Sequence, residues 1–301
     1  MKSIISIQSH FVSGYAGSSS AIFPMQKMGM EVWPIHTAQF SSNSELERGW
    51  TEHKLDSDDI RSLMQGLLES GKLNECGAVL SGYQVCEHQY RAVADAVALI
   101  KERNPSALYI CEPELDSIEE VQGLYDSKTE TVAQCLVPTS DVLVLTQYEL
   151  SNLTGLSIGS LHDAVTACKK MLDMGPKIVL LKHFEASKTD TYNTLLATSN
   201  SCHLARLPKI TFEKKVHGIG NLLSAIFTAC LVRNMSTLES FNHACNAVYG
   251  VLQDTKENGK YELQIISGQY EFVEPTYNFD VVKVGSPADF EQQYFENLES
   301  V

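Results

Sequence analysis

The stretch His217-Gly218-Ile219-Gly220-Asn221-Leu222-Leu223-Ser224-Ala225 sets two spaced glycines directly ahead of an apolar run with helical period, Leu222, Leu223, Ile226, Phe227 and Cys230. The spacing predicts a tight turn feeding the first turn of a helix. Glycines let the backbone approach a ligand closely, and the unpaired amides of a first helical turn, at the positive end of the dipole, hold phosphate oxygens. A residue on that turn is placed to act on whatever is held, and here it is Asn221, whose amide cannot take a proton as a carboxylate does. A Gly-x-Gly pair before a helix also fits a plain turn with Asn221 as the cap, a position where Asn is among the preferred residues. The rest of the chain has to choose between the two.

Working outward, the 301 residues suffice to bury a sizeable core, and no Pro/Gly/Ser linker divides them, which predicts one domain over 1–301. A formal charge of -14 argues against a nucleic-acid partner, because phosphate backbones need a basic face and the clustered cations are only Lys169-Lys170 and Lys214-Lys215. An anionic nucleotide has to be met locally, by amides, single cations and metal. The opening Met1-Lys2-Ser3-Ile4-Ile5-Ser6-Ile7-Gln8 is too short an apolar run for a signal peptide, and no stretch is long enough for a membrane span, so a cytoplasmic protein without membrane contact is expected. The eight cysteines are scattered without a Cys-x-x-Cys pair, which suits reduced, packed thiols.

Along the chain, short apolar runs alternate with helical patterns. Strands are expected at Ile4–Ile7, Glu31–His36, Ala78–Leu80, Ala107–Cys111, Asp141–Leu145 and Lys177–Lys182, and helices at Ala21–Met28, Ser57–Ser70, Glu87–Arg103 and Leu161–Met174. Continuously apolar strands separated by helices indicate a mostly parallel sheet covered on both faces, an α/β fold whose ligands bind at the carboxyl ends of the strands. Thr191–Ser199 and His203–Leu207 then read as an antiparallel pair at one edge. A polar loop at Gln39–Ser44 is a candidate rim, and the acidic tail, 284–301, is expected to lie at the surface.

Several strings add a resemblance: Ile7-Gln8-Ser9-His10 with Gly14 and Gly17, Phe23-Pro24-Met25, Val32-Trp33-Pro34, Gln39-Phe40-Ser41, Leu80-Ser81-Gly82-Tyr83, Gly175-Pro176-Lys177-Ile178-Val179-Leu180, Lys182-His183 and Tyr261-Glu262-Leu263-Gln264. Together they resemble the pyridoxal kinases of the ribokinase-like superfamily, from residue 2 to about residue 283. The resemblance implies a three-layer α/β/α sandwich and ATP-dependent phosphorylation of the 5'-hydroxymethyl of pyridoxal, pyridoxamine or pyridoxine, with Mg2+, on a homodimer. For the vitamer it implies Ser9, Ser44, Tyr83 and the residue at 221. For ATP it implies Glu112, Val144, Glu149, Lys182 and Arg206-Leu207-Pro208-Lys209. Glu149 would hold magnesium through water, and Glu112 is a further candidate for the metal. Taken singly, Glu149 also fits a solvated helix-start acid, Lys182 a strand-end lysine and Tyr83 an ordinary residue after a strand.

The chain departs from that family at the phosphate end. The family's Gly-x-Gly-Asp is Gly218-Ile219-Gly220-Asn221 here, its Asp-Pro-Val-Met-Gly is Glu112-Pro113-Glu114-Leu115-Asp116, and Thr146 stands where the family usually has Asn. Asn221 in place of the carboxylate implies a slowed kinase, since losing a general base typically costs ~10²- to 10⁴-fold in rate. The alternative is a protein that binds a B6 vitamer or a protein partner without turnover.

Overall fold

The computed structural model describes residues 2–42, 51–115, 122–185 and 190–285. Its centre is one sheet, in which six strands run parallel: β1 (Ser3–Phe11), β2 (Glu31–Phe40), β4 (Cys76–Ser81), β5 (Leu108–Cys111), β6 (Val142–Leu145) and β7 (Ile178–Phe184). The outer strands β3 (Glu52–Lys54), β8 (Thr191–Thr198), β9 (Cys202–Pro208) and β10 (Val281–Val284) pair antiparallel. Across the sheet the order is β10-β9-β8-β7-β6-β5-β4-β1-β2-β3.

The apolar runs explain the layering. Side chains alternate between the faces of a strand, so Ile5, Ile7, Val79, Leu143 and Leu181 join one core while Ile4, Ala78, Leu80, Val142 and Leu180 join another. The first core is covered by α2 (Ser57–Glu69), α3 (Glu87–Arg103), α5 (Gln147–Thr154) and α6 (Leu161–Leu172). The second is covered by α1 (Ser18–Lys27), α7 (Ile219–Val232) and α8 (Thr237–Glu257). A further helix, α4, spans Gln122–Thr131. The result is the three-layer α/β/α arrangement with a mostly parallel sheet.

Helix α7 is apolar on nearly every side, with all residues from Asn221 to Cys230 buried. A helix of that kind belongs inside the molecule, and α7 is packed against both α1 and α8. Its amino end therefore opens into the interior of the fold. Strand β1 has β2 on one side and β4 on the other, so the chain reverses its direction of sheet growth there, and the carboxyl ends of β1 and β4 flank the crevice where such folds bind ligands.

Four expectations change. The β8–β9 pair is antiparallel but not the edge, because β10 adds to β9. Val284, the first residue assigned to the tail, closes that strand. Strand β2 continues to Phe40, so Gln39 and Phe40 are sheet rather than loop. Helices α4 and α5 form on stretches without a clear apolar period, where the sequence pattern predicts none. The remaining tail, 286–301, lies outside the described residues.

The parallel core is tied at its amino-terminal side by Asp141. Its carboxylate accepts from the Tyr109 amide at 2.9 Å and from Lys101 Nζ and Lys177 Nζ at 2.6 and 2.8 Å. Its carbonyl accepts from the Lys177 and Ile178 amides, so β5, β6 and β7 are linked through one residue. Burial works against the charge, but Lys101, Lys177 and the amide outweigh it, and the pKa lies below the usual Asp value. A depressed folded-state pKa contributes stability above the unfolded pKa, and that stability is lost as pH falls through the folded value. Asp141→Asn is expected to cost about 1–3 kcal/mol at pH 7. Urea unfolding across pH should show this deficit shrinking below about pH 4.

Candidate active site

The mouth of α7 is shaped by its two glycines. Gly218 caps the helix with φ +80°. A Cβ there would lie 2.0 Å from the carbonyl oxygen of Tyr15, so the loop between β1 and α1 rests directly on this glycine. Helical bonding begins with the Leu222 amide donating to the Gly218 carbonyl at 2.9 Å, which leaves the amides of 219 to 221 ahead of the ladder. A Cβ on Gly220 would lie 2.9 Å from Lys182 Nζ and 3.1 Å from Glu112 Oε1. The absence of a side chain at 220 is what admits these two charged groups to the helix mouth.

Lys182, from β7, donates to Glu112 Oε1, just past the end of β5. Glu112 is buried and Lys182 nearly so, with side chains 1% and 11% exposed. Asn221 Nδ2 donates to Glu114 Oε1 and lies 3.4 Å from Glu112 Oε2, while Asn221 Oδ1 accepts from the Gly17 amide at 2.9 Å. Glu149 begins α5, where Thr146 and Glu149 form a reciprocal cap. Its Oε2 accepts from the Thr146 amide and hydroxyl at 2.6 and 2.8 Å, and its Oε1 reaches back to the Leu115 amide at 2.9 Å.

The electrostatics follow from this crowding. Burial pulls the Lys182 ammonium down, but Glu112, then Glu149 and Glu114, outweigh it, and Lys182 stays charged with a pKa above its ordinary value. Burial, and then the nearby Glu112 charge, push Glu114 up to about 8, against the opposing pull of Lys182 and the Asn221 amide. Among the described residues no group of three His, Cys, Asp or Glu side chains forms a metal cage. That donor set suits magnesium arriving with a nucleotide, which takes one or two carboxylates and otherwise phosphate and water.

On one side of the mouth lies a cavity of about 380 Å³, whose walls include Lys182, Gly220, Leu223, Leu207, Val248 and Tyr249. Its size is within the range of small-molecule sites. On the other side is the crevice between β1 and β4. Ser9 is buried there, Tyr83 is half-buried behind Phe40, and the His10 and His36 rings stack 4.4 Å apart. Burial lowers both imidazole pKa values, and in His36 the neighbouring His10 adds to the effect, so this wall is neutral at physiological pH. Lys128, from α4, lies 5.6 Å from the Tyr83 ring centre.

Of the residues expected at the site, Glu112, Lys182, Gly218, Gly220 and Asn221 meet at the mouth, and Glu149 stands behind them. Val144 departs from expectation, since its side chain is fully buried in the core. So does most of the 206–209 segment, in which only Leu207 reaches the cavity while Arg206, Pro208 and Lys209 are exposed. Strand alternation turns Arg206 and Pro208 away from Leu207. Ser44 and Asp116 lie outside the described residues. The sequence reading missed the Glu114–Asn221 contact, Lys128 at Tyr83, and the wall formed by Cys245, Val248, Tyr249 and Leu252. Those four share one face of a helix by spacing, a signal that core packing produces equally well.

A family model for phosphomethylpyrimidine kinase matches residues 25–285. A pyridoxal kinase from Vibrio parahaemolyticus is 45% identical over 284 residues, covering 94% of this chain and 98% of the relative. The chain belongs to the pyridoxal kinase family. A more distant pyridoxal kinase, from Histophilus somni, is 36% identical over 95% of this chain and 100% of its own. The pyridoxal kinase of Leishmania donovani, solved with ADP and ginkgotoxin, superposes with a TM-score of 0.84 at 24% identity, over 95% of this chain and 100% of its own. That likeness shows a shared ribokinase-like fold.

Within this pyridoxal kinase family member, two substitutions test the mouth. Gly218→Ala meets the Tyr15 carbonyl in a left-handed conformation, and thermal unfolding should show a loss of more than about 1 kcal/mol. Lys182→Met leaves Glu112 buried without its cation, and chemical denaturation should register about 3–5 kcal/mol of destabilisation.

Proposed function

We propose that the chain is an ATP-dependent kinase that phosphorylates the 5'-hydroxymethyl of a B6 vitamer, acting as one domain over 1–301. The observation that carries this reading is the position of the α7 mouth, with a ligand-sized cavity on one side and the β1–β4 crevice on the other. Asn221 is the shared point, accepting from the loop after β1 and donating to the acids after β5. The relatives named pyridoxal kinase, at up to 45% identity over nearly the whole length, support the substrate class. Solved neighbours with ADP and pyridoxamine, or with ADP and pyridoxine, are in keeping with it.

In this reading the vitamer ring lies against Tyr83 with Ser9 holding its polar edge, and the nucleotide occupies the cavity beside Leu207 and Tyr249. Phosphoryl transfer asks chiefly for positioning and charge neutralisation. Lys182 and the amides ahead of the α7 ladder supply both, at the point where charge gathers on the transferred group. The co-substrate would be magnesium-ATP, whose metal Glu149 would hold through water, and the metal would supply charge neutralisation. Glu112, which accepts from Lys182 and lies 3.4 Å from the Asn221 amide, would be the second candidate for the metal. From the resemblance we further infer a cytoplasmic homodimer.

Asn221 at the position of the family carboxylate favours a second reading, a vitamer-binding protein without turnover. One assay separates the two. Purified chain with pyridoxal and magnesium-ATP should form pyridoxal phosphate and ADP in equal amounts, and Tyr249→Ala should raise the KM for ATP about threefold to tenfold while leaving that for pyridoxal unchanged. Calorimetric heat with pyridoxal but no product would favour the second reading.

A further inference from the structure

We propose that Glu114 is the carboxylate that takes the proton from the substrate hydroxyl, and that Asn221 is its amide partner: the acid and amide have exchanged places across one hydrogen bond. The proposal rests on the kinase reading above. It begins from the shape of Asn221, which is that of an aspartate with one oxygen replaced by an amide. Its Oδ1 keeps an acceptor for the Gly17 amide at 2.9 Å. Its Nδ2 faces the other way and donates to Glu114 Oε1. A carboxylate therefore sits one hydrogen bond from position 221, on the side away from the Gly17 amide.

The chain works to hold it there. Glu114 has φ +46°, a left-handed conformation that few residues other than glycine adopt, and one that persists only where the surroundings over-determine it. They do so on both sides. The Tyr90 hydroxyl donates to the Pro113 carbonyl at 3.0 Å, and the Leu115 amide donates to Glu149 at 2.9 Å. The other acids are committed elsewhere, Glu112 to Lys182 and Asn221, and Glu149 to the amides of Leu115 and Thr146. Among the described residues, the second oxygen of Glu114 accepts no hydrogen bond. An aspartate at 221 would put two carboxylates against each other, which like-charge repulsion disfavours; the amide at 221 and the acid at 114 are one arrangement.

In the step itself, the hydroxyl O–H bond breaks and its proton passes to the ionised form of Glu114, whose share grows as pH rises toward and past about 8. The hydroxyl oxygen uses the freed pair to bond the γ-phosphorus of ATP. The bond from that phosphorus to the bridging oxygen breaks, and ADP leaves with its electron pair.

Exchanging the two residues back provides the test. Glu114→Gln alone should lower kcat by about 10²- to 10⁴-fold, with pyridoxal affinity by fluorescence titration kept within about threefold. In the double variant Glu114→Gln/Asn221→Asp, the amide now at position 114 would donate to the carboxylate now at position 221. The same hydrogen bond forms with its polarity reversed, and kcat should return to within about tenfold of wild type. Circular dichroism and a melting curve check that each variant is folded. A Glu114→Gln protein that is folded and keeps kcat within about threefold overturns the proposal, as does a folded double variant no faster than the single one. No product from wild type removes the kinase reading itself, whether or not the double variant turns over, whereas the two outcomes above leave that reading standing and overturn this inference alone.

Discussion

The backbone of the β1–α1 loop rests on a helix mouth that has no side chain to keep it away. Tyr15 lies over Gly218 so closely that a Cβ would reach its carbonyl at 2.0 Å, and the Gly17 amide then finds the side chain of Asn221. Through this contact the first strand and the last third of the chain share one site, although more than two hundred residues separate them. Close-packed interiors have low compressibility and transmit strain, so the two halves of the crevice are fixed in one relation. The buried helix behind the mouth supplies the stiffness.

The second constraint is charge. The chain is strongly acidic, and it gathers three glutamates around one buried lysine. Burial alone would lower the Lys182 pKa, and the surrounding acids more than offset this. The same crowding makes Glu114 reluctant to ionise. Lysine and acids are thus balanced against one another, and the amide at 221 relieves a repulsion that a fourth carboxylate would create.

Much of this is legible in the chain itself. The alternation of apolar runs and helical periods specifies the parallel sheet, and α3 falls on the residues that its period and flanks predict. The glycine pair at 218 and 220 marks the mouth, because close approach of backbone and charge leaves a compositional trace. What stays hidden in the sequence are pairings whose partners lie far apart. Nothing local in Glu114 announces a left-handed turn aimed at Asn221, and the apolar face of α8 that walls the cavity looks like any core stripe. Arg206 and Pro208 mislead for a different reason. A resemblance carries over a whole segment, whereas a strand presents only alternate residues to one face, so Leu207 alone is turned inward.

The two ends of the sheet carry one more consequence. The strand at one border has three residues, all charged or imidazole-bearing, Glu52, His53 and Lys54, and the strand at the other has four, with Lys283 among them. Long, flat, apolar borders invite further chains to join the ladder, and short charged ones discourage it. Among the described residues the hydrogen-bonded ribbon therefore ends in short, charged strands on both sides, which guard a concentrated protein against fibrous aggregation.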